Sequence, residues 1–526
     1  MKHTFAHFPA TALDDKAKKT ERALRQILRK DQISARWSDR LSYGRDCNGK
    51  STLWVRQGKI KYPPEWIVWP ESASEVSEIL RLAREKNIPV VPFGGGSGVC
   101  GGTWALGGGI ILDVKRMARI LNLDGKNMTV EVETGINGEI LERELNSRGY
   151  TLGHFPSSIY AATLGGYLAC RSAGQFSSLY GKIEDMVVGL EVVLPTGEIV
   201  RLGSVRHLPG RWDFKEIFLG SEGTMGVITR ATLAIHPKPE AKIFFAFQFR
   251  NLERGVNAAR EIMQSGLKPA VIRFYDPLDS LLATSYKEGS PREGILKMIS
   301  ELWDSPLHAA GNLSLKLALK RPRWLNSTVD LLPSSCLLIV GFVGTKASVK
   351  EKIEFCEGLC KKGSGKPLGE AMGKYWFEHR YSVSYKLSPY FDKGFFADTM
   401  ETATTWNQLL PLYHGVRNAL VRDALVFAHF SHAYPSGCSI YFSFLAYDNE
   451  GEPSERRYDQ IWRKALDACV QYGGTLSHHH GIGVLKAGHL RKEWGDAFEW
   501  LCKLKRKLDP ENLMNPGKLG FPLQWS

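Results

Sequence analysis

Pro92-Phe93-Gly94-Gly95-Gly96-Ser97-Gly98-Val99-Cys100-Gly101-Gly102 is the stretch on which the reading of this chain turns. Glycine is packed here as it is where a backbone approaches a ligand closely or adopts positive φ, so that successive N–H groups face phosphate oxygens. A diphosphate is the natural occupant. The loop follows one apolar strand, Ile88-Pro89-Val90-Val91-Pro92, and leads into another, Ile110-Ile111-Leu112-Asp113. A nicotinamide-binding turn of the Rossmann kind would open a helix at its third glycine instead, so that class loses its support. A surface linker would be polar and would not lie between two apolar strands.

Two further segments have the same character: Ala162-Thr163-Leu164-Gly165-Gly166-Tyr167 with Arg171-Ser172-Ala173-Gly174, and Ser221-Glu222-Gly223-Thr224-Met225-Gly226-Val227-Ile228. Upstream, residues 13–37 predict a charge-rich docking helix with Leu24, Ile27 and Leu28 on its apolar face. A strand at 66–70 precedes a helix in which Ser72 and Glu75 have capping-box spacing and Val76, Ile79, Leu80 and Ala83 share a side. Strands and helices continue at 129–133, 139–148, 187–194 and 227–235, and Pro237 and Pro239 mark a boundary. From 240 to 470, strands (242–249, 335–343, 439–446) alternate with helices (252–265, 458–472), which predicts antiparallel sheet plus helices. The tail holds Ser477-His478-His479-His480-Gly481-Ile482-Gly483, a helix at 496–508 and Asn512-Leu513-Met514-Asn515-Pro516-Gly517-Lys518.

Composition narrows the class. With 526 residues and 43% hydrophobic content the chain can bury large cores and is globular. No window offers the ~20 apolar residues of a membrane span, and the first residues lack a signal-peptide core, so a cytoplasmic location is expected. The nine cysteines form no CxxC pair or zinc set, which suits buried thiols in a reducing compartment. A net charge of +14 suits an anionic partner, yet no nucleic-acid motif accompanies it.

In this order and spacing, the three glycine segments and the tail from Asn512 to Lys518 resemble the vanillyl-alcohol oxidase type of FAD-linked flavoprotein. The resemblance implies an α+β fold: a two-lobed PCMH-type FAD-binding domain, a cap domain with antiparallel sheet and helices, and a C-terminal segment returning to the flavin site. It places an N-terminal helical segment at 1–55, the FAD-binding domain at 56–238, the cap at 239–472 and the closing segment at 473–526. Pro92, Phe93, Gly94, Gly95, Gly96, Ser97 and Gly98 would then hold the diphosphate. Ser157, Ser158, Thr163, Gly166, Cys170, Arg171, Ser172, Ala173, Glu222, Gly223, Thr224, Gly226, Val227 and Ile228 would line the rest of the cofactor. The first loop has no histidine for a flavin tether and Cys170 is weakly placed for one, so the FAD is expected to be non-covalent.

Two branches of that family compete. The D-2-hydroxyacid dehydrogenases carry a Gly-Glu-His-Gly-Ile-Gly element and a two-histidine strand that bind a divalent metal. Here His479 stands in the place of the glutamate, and the strand from Ser431 to Phe444 has one histidine, so no metal is expected. Both departures resemble instead the alkyldihydroxyacetonephosphate synthase branch, with its His triplet and Ile-Tyr-Phe strand. That resemblance implies exchange of the acyl group of acyl-dihydroxyacetonephosphate for a long-chain alcohol, through an adduct at flavin N5. Tyr441, His478, His479 and His480 would be catalytic and Arg273 would bind the substrate phosphate. The branch's second substrate arginine falls on Leu387 here, with Lys386 beside it as the substitute. A tyrosine with a pKa near ~10 needs cationic or hydrogen-bonding neighbours to move protons at neutral pH. In an extended segment His478 and His480 would share a side. The alternative function is an FAD-dependent dehydrogenase or oxidase of a D-2-hydroxyacid, of the D-lactate or glycolate type, or of a related alcohol. Expected partners are a small-molecule or lipid substrate with a phosphate or carboxylate group and no nucleic acid. Peripheral membrane contact, with 313–326 as an interfacial stretch, and a homodimer are both compatible with the sequence.

Overall fold

Alternation of apolar runs with glycine turns becomes strand and loop in the computed structural model, which describes residues 15–203, 212–284, 318–330, 335–381, 395–447 and 455–525. The chain divides into two compact units. One comprises Met1–Gly174, Gly181–Lys238 and His479–Ser526, and the other Gln175–Tyr180 and Pro239–His478.

The first unit begins with a four-stranded sheet of β1 (Ile33–Ser34), β2 (Trp66–Val68), β3 (Val90–Phe93) and β4 (Ile110–Asp113) in the order β1-β2-β4-β3. β2 and β3 both run parallel to β4, which requires a crossover, and the helix Ala73–Glu85 supplies it. Its Val76 and Ile79 are fully buried, each contributing about 1.5–3 kcal/mol relative to exposure. Half of the expected capping box forms: Ser72 Oγ accepts from Glu75 N at 3.2 Å, whereas the Glu75 carboxylate takes Glu71 N and Gln32 Nε2. The single helix expected at 13–37 is corrected. A helix spans Asp15–Ile27, burying Leu24 and Leu28 against the Ala73–Glu85 helix, and the chain then turns so that β1 pairs with β2.

A five-stranded antiparallel sheet follows, in the order β5-β6-β10-β8-β9: β5 Ile120–Asp124, β6 Thr129–Glu133, β8 Val187–Val193, β9 Ile199–Leu202 and β10 Val227–Ala234. A short ribbon joins β7 (Tyr150–Thr151) to β11 (His236–Pro237). The C-terminal tail adds to the edge of β3: Val90 N donates to Leu513 O, and Asn515 N to Val90 O, both at 2.8 Å.

The second unit is built on one seven-stranded antiparallel sheet. Its strands are β12 (Ala241–Phe249), β13 (Val271–Tyr275), β14 (Cys336–Gly344), β15 (Lys366–Gly369), β16 (Phe395–Thr405), β17 (Leu425–Ala433) and β18 (Gly437–Tyr447), in the order β15-β12-β14-β13-β17-β18-β16. Register decides what each face carries. His429 pairs with both Tyr275 and Tyr441, and Tyr441 also with Glu401, so these four side chains emerge on one side. Phe274, Phe430 and Phe442, one position along each strand, are buried on the other, where Phe430 and Phe442 meet Tyr413. Among the described residues no helix is long and apolar enough to cross a membrane.

Candidate functional site

In the first unit the three glycine segments converge, and glycine is needed because backbones touch. A Cβ on Gly94 would overlap Thr163 Oγ1, one on Gly95 the Ala161 carbonyl, and one on Gly223 the Pro92 ring. Phe93 lies under Gly96, whose φ is +63°. The amides of Gly95, Gly96, Ser97 and Gly98 donate to no acceptor among the described residues, although these residues are half-buried. Buried N–H groups demand a partner, and a run of them suits an anion, so the loop fits the diphosphate of a dinucleotide.

The other candidates divide between lining and framework. Ser157 and Ser158 open the turn whose Ser158 carbonyl accepts from Ala161 and Ala162, while Thr163 caps the helix Leu164–Cys170 through Gly166 N. Arg171, at φ +49°, commits its guanidinium to Leu219 O at 3.1 Å and to Glu216 at 2.6 Å. Burial, with Glu222 next, pushes the Cys170 thiol well up, which disfavours a nucleophilic thiolate. Ser172 and Ala173 are buried, and Ser172 Oγ meets His154 Nε2 at 3.2 Å. Thr224 turns back onto Ser221 O, Gly226 abuts Val193 O, and Val227 and Ile228 belong to β10.

Glu222 has a different task from its neighbours. Its Oε1 accepts from Ile482 N at 2.5 Å and its Oε2 from Gly483 N at 2.8 Å, so it anchors the turn after the histidine triplet. Asn515 Nδ2 binds the Glu222 carbonyl at 2.7 Å, and Lys505 Nζ binds Thr224 O at 2.7 Å, so the tail is clamped to the third glycine segment. His154, which the sequence reading passed over, is 2% exposed and pulled down to about 3 by burial. No local motif marks it.

The second unit collects a polar row from separate strands. Tyr441 stacks on His429 with centroids 4.8 Å apart and planes 16° apart. His429 Nε2 meets Arg273 Nη2 at 2.9 Å and its Nδ1 meets Asp279 Oδ2 at 3.0 Å, while Arg273 Nε donates to Tyr275 Oη at 2.8 Å. Because arginine can only donate, His429 must accept at Nε2 and donate from Nδ1. That tautomer is neutral, in keeping with burial and the nearby Arg273 pulling its pKa well down. Burial pushes Asp279 up to about 6, against the opposing pull of Arg273.

A bulge adds a second histidine. Ser431 pairs with Ser439 and Ala433 with Cys438, leaving His432 as the extra residue at φ +53°. Its ring lies 6.2 Å from that of Tyr441 and 5.5 Å from that of His478, and Nδ1 meets Ser177 Oγ at 2.8 Å. His478 Nε2 meets Tyr434 Oη at 3.1 Å, and its N–H donates to Glu401 Oε2 at 2.7 Å. Burial first, then Glu401, push the Tyr441 phenol strongly up, and the lowering by Arg273 does not offset them. The cationic neighbour expected to acidify this tyrosine is outweighed by its burial.

Residues 477–483 form bends and turns, so strand alternation does not apply to the triplet. His478 falls in the second unit, whereas His479 and His480 fall in the first, with rings edge-to-face at 4.7 Å. Lys386 and Leu387 lie outside the described residues. The sequence offers Asp279 only as a candidate ion partner of Arg273, and it does not place His429, Glu401, Tyr434 or Ser177 in the site. The pattern His429-Phe430-Ser431-His432 was the available signal for His429.

Glycine-rich loops beside a parallel sheet and a separate antiparallel sheet with a polar face define a class of flavoprotein. The chain belongs to the FAD-linked oxidases: the family model for the FAD binding domain matches residues 64–203 and that for the FAD linked oxidases' C-terminal domain matches 238–519. It is an FAD-dependent enzyme. Within that class it is similar to the alkyldihydroxyacetonephosphate synthase of Dictyostelium discoideum, at 32% identity over 95% of this chain and 80% of that one. A solved alkyldihydroxyacetonephosphate synthase superposes with TM-score 0.76 at 28% identity, over 98% of this chain and 87% of that one. A p-cresol methylhydroxylase structure with substrate bound shares the fold, with TM-score 0.72 at 16% identity over 98% and 99% of the two chains.

Proposed function

We propose that this chain exchanges the acyl group of an acyl-dihydroxyacetonephosphate for a long-chain alcohol, releasing a fatty acid and leaving an ether-linked ketone phosphate. One carbon–oxygen bond breaks, one forms, the alcohol's proton leaves with the fatty acid, and no electrons are exchanged overall. The row Arg273–His429–Tyr441 beside His432 and His478 carries this reading, because it combines a phosphate-binding cation with two proton carriers on one sheet face. Similarity to the synthases supports a phosphate-bearing lipid substrate.

Bound FAD supplies a ring that accepts and returns an electron pair; the remaining work belongs to side chains. The N–H groups of Arg273 that no described residue takes bind the phosphate, a planar fork suited to such oxygens. Tyr441, held as a phenol by burial, donates to the departing carboxylate. His432, held neutral by burial, accepts the proton that leaves the substrate carbon and returns it once the alcohol has added, while the alcohol's own proton restores the Tyr441 phenol. His429 keeps Arg273 and Tyr441 in line. The amides of Gly95 to Gly98 hold the FAD diphosphate.

Mass spectrometry after incubating the FAD-loaded protein with acyl-dihydroxyacetonephosphate and a long-chain alcohol, without an electron acceptor, tests the proposal. An ether product in step with released fatty acid is expected. Reduction of a dye by D-lactate or glycolate without ether formation would move the chain to the hydroxyacid reading. Peripheral membrane contact is part of the proposal at the described end of the interfacial stretch. There Trp324 is exposed, while Leu325 and Asn326 are buried.

A further inference from the structure

The phosphate site proposed above has one described arginine, and the position expected to supply a second is Leu387. Arg380, at the end of the helix Ala371–His379, is the cation whose surroundings call for an anion. Its guanidinium carbon lies 3.9 Å from the Phe377 ring centroid and 4.2 Å from that of Tyr381. Nη1 donates to the Phe377 carbonyl and Nη2 to Tyr381 Oη at 3.1 Å. Nε is buried without a hydrogen-bond partner among the described residues, and none of these forms an ion pair with Arg380. Lys242 Nζ stands 5.8 Å from the same Phe377 ring. An aromatic-stacked guanidinium whose fork no carboxylate fills is suited to phosphate.

The segment Gln175–Tyr180 ties this residue to the catalytic row. Gln175 Nε2 donates to Arg380 O at 3.4 Å, Phe176 stacks on Phe377 with centroids 6.4 Å apart, and Ser177 Oγ meets His432 Nδ1 at 2.8 Å. Gln175 and Ser177 lie within ~7 Å of extended chain of each other, so one short segment touches both the Arg380 backbone and the His432 ring. We infer that Arg380 is a second phosphate-binding residue that determines specificity for a phosphorylated substrate, in the part Leu387 cannot play. This inference rests on the proposed reading of a phosphate-bearing substrate.

Calorimetric titration of the FAD-loaded protein with dihydroxyacetone phosphate, and with unphosphorylated dihydroxyacetone, tests it without requiring turnover. Wild type is expected to bind the phosphate and not its parent. Arg380→Gln should weaken phosphate binding about tenfold or more, with Arg380→Lys recovering part of the loss. In turnover, Arg380→Gln should raise KM for the acyl donor more than it lowers kcat and leave KM for the alcohol unchanged. Flavin absorbance and Tm report folding; if Arg380→Gln loses its flavin, Arg380→Lys becomes the comparison. Equal phosphate binding by wild type and a folded variant, or no binding by wild type, overturns the inference. Loss of phosphate binding in a variant of a protein that makes no ether would uphold the site while sinking the reaction.

Discussion

The glycine loops of the first unit and the polar face of the second both suit charged ligands, but they are made of different material. Around Gly95 the groups on offer are half-buried backbone amides with no described acceptor, open because side chains are missing and neighbouring segments touch. Around Tyr441 they are side chains set by strand register, with His429 fixed in tautomer by Arg273 and Asp279. Each part is therefore vulnerable to the opposite kind of change. A backbone site fails when an atom is added, whereas a side-chain site fails when one is removed.

The largest effect should come from adding atoms to the first. Gly95→Val would drive the loop off Ala161 and Ala162, and purified protein should show no flavin in its visible absorbance and no turnover. A yellow, active variant would mean the contact is slack. Removing one oxygen from the second comes next. Tyr441→Phe should keep its FAD and lose about 10²–10⁴-fold in kcat, the usual weight of a general acid. Full activity would remove Tyr441 from the proton path and leave the role to His432 or His478.

The smallest effect should be a change in pH dependence. Asp279, near Arg273, His429 and Asp276, is pushed up to about 6 by burial, so activity that depends on its charge should fall on the acid side of about pH 6. Asp279→Asn should flatten that limb. Stability runs the other way. A folded-state pKa above the ordinary 3.8 means that folding favours the protonated form, so this contribution is present below about pH 4 and lost as pH rises through about 6. A thermal-melt series of wild type and Asp279→Asn separates the two, and parallel profiles would show that Asp279 does not titrate there.

Much of the first unit was legible because its determinants are local. Glycine runs, apolar strands and the cap at Ser72 are written in consecutive residues, and the three glycine segments do meet. The interruption of the expected 13–37 helix was not legible, since β1 exists by pairing with β2, more than thirty residues away. The second unit yielded its named motifs but not their wiring. His432 faces Tyr441 through a bulge, and Glu401 reaches His478 from a strand whose sequence carries no motif. Glu222 was placed among cofactor contacts, yet its carboxylate anchors the turn at Ile482 and Gly483.

By itself the sequence determined the kind of cofactor loop, the family resemblance and the identities of Tyr441, Arg273 and the His triplet, because spacing and residue type are properties of a linear string. Tertiary structure alone decided that Tyr441 is a buried phenol, that His429 is neutral and that Arg380 sits between two rings without a described carboxylate. Protonation and charge balance depend on distance and desolvation, and strands far apart in sequence come into register only when the sheet forms.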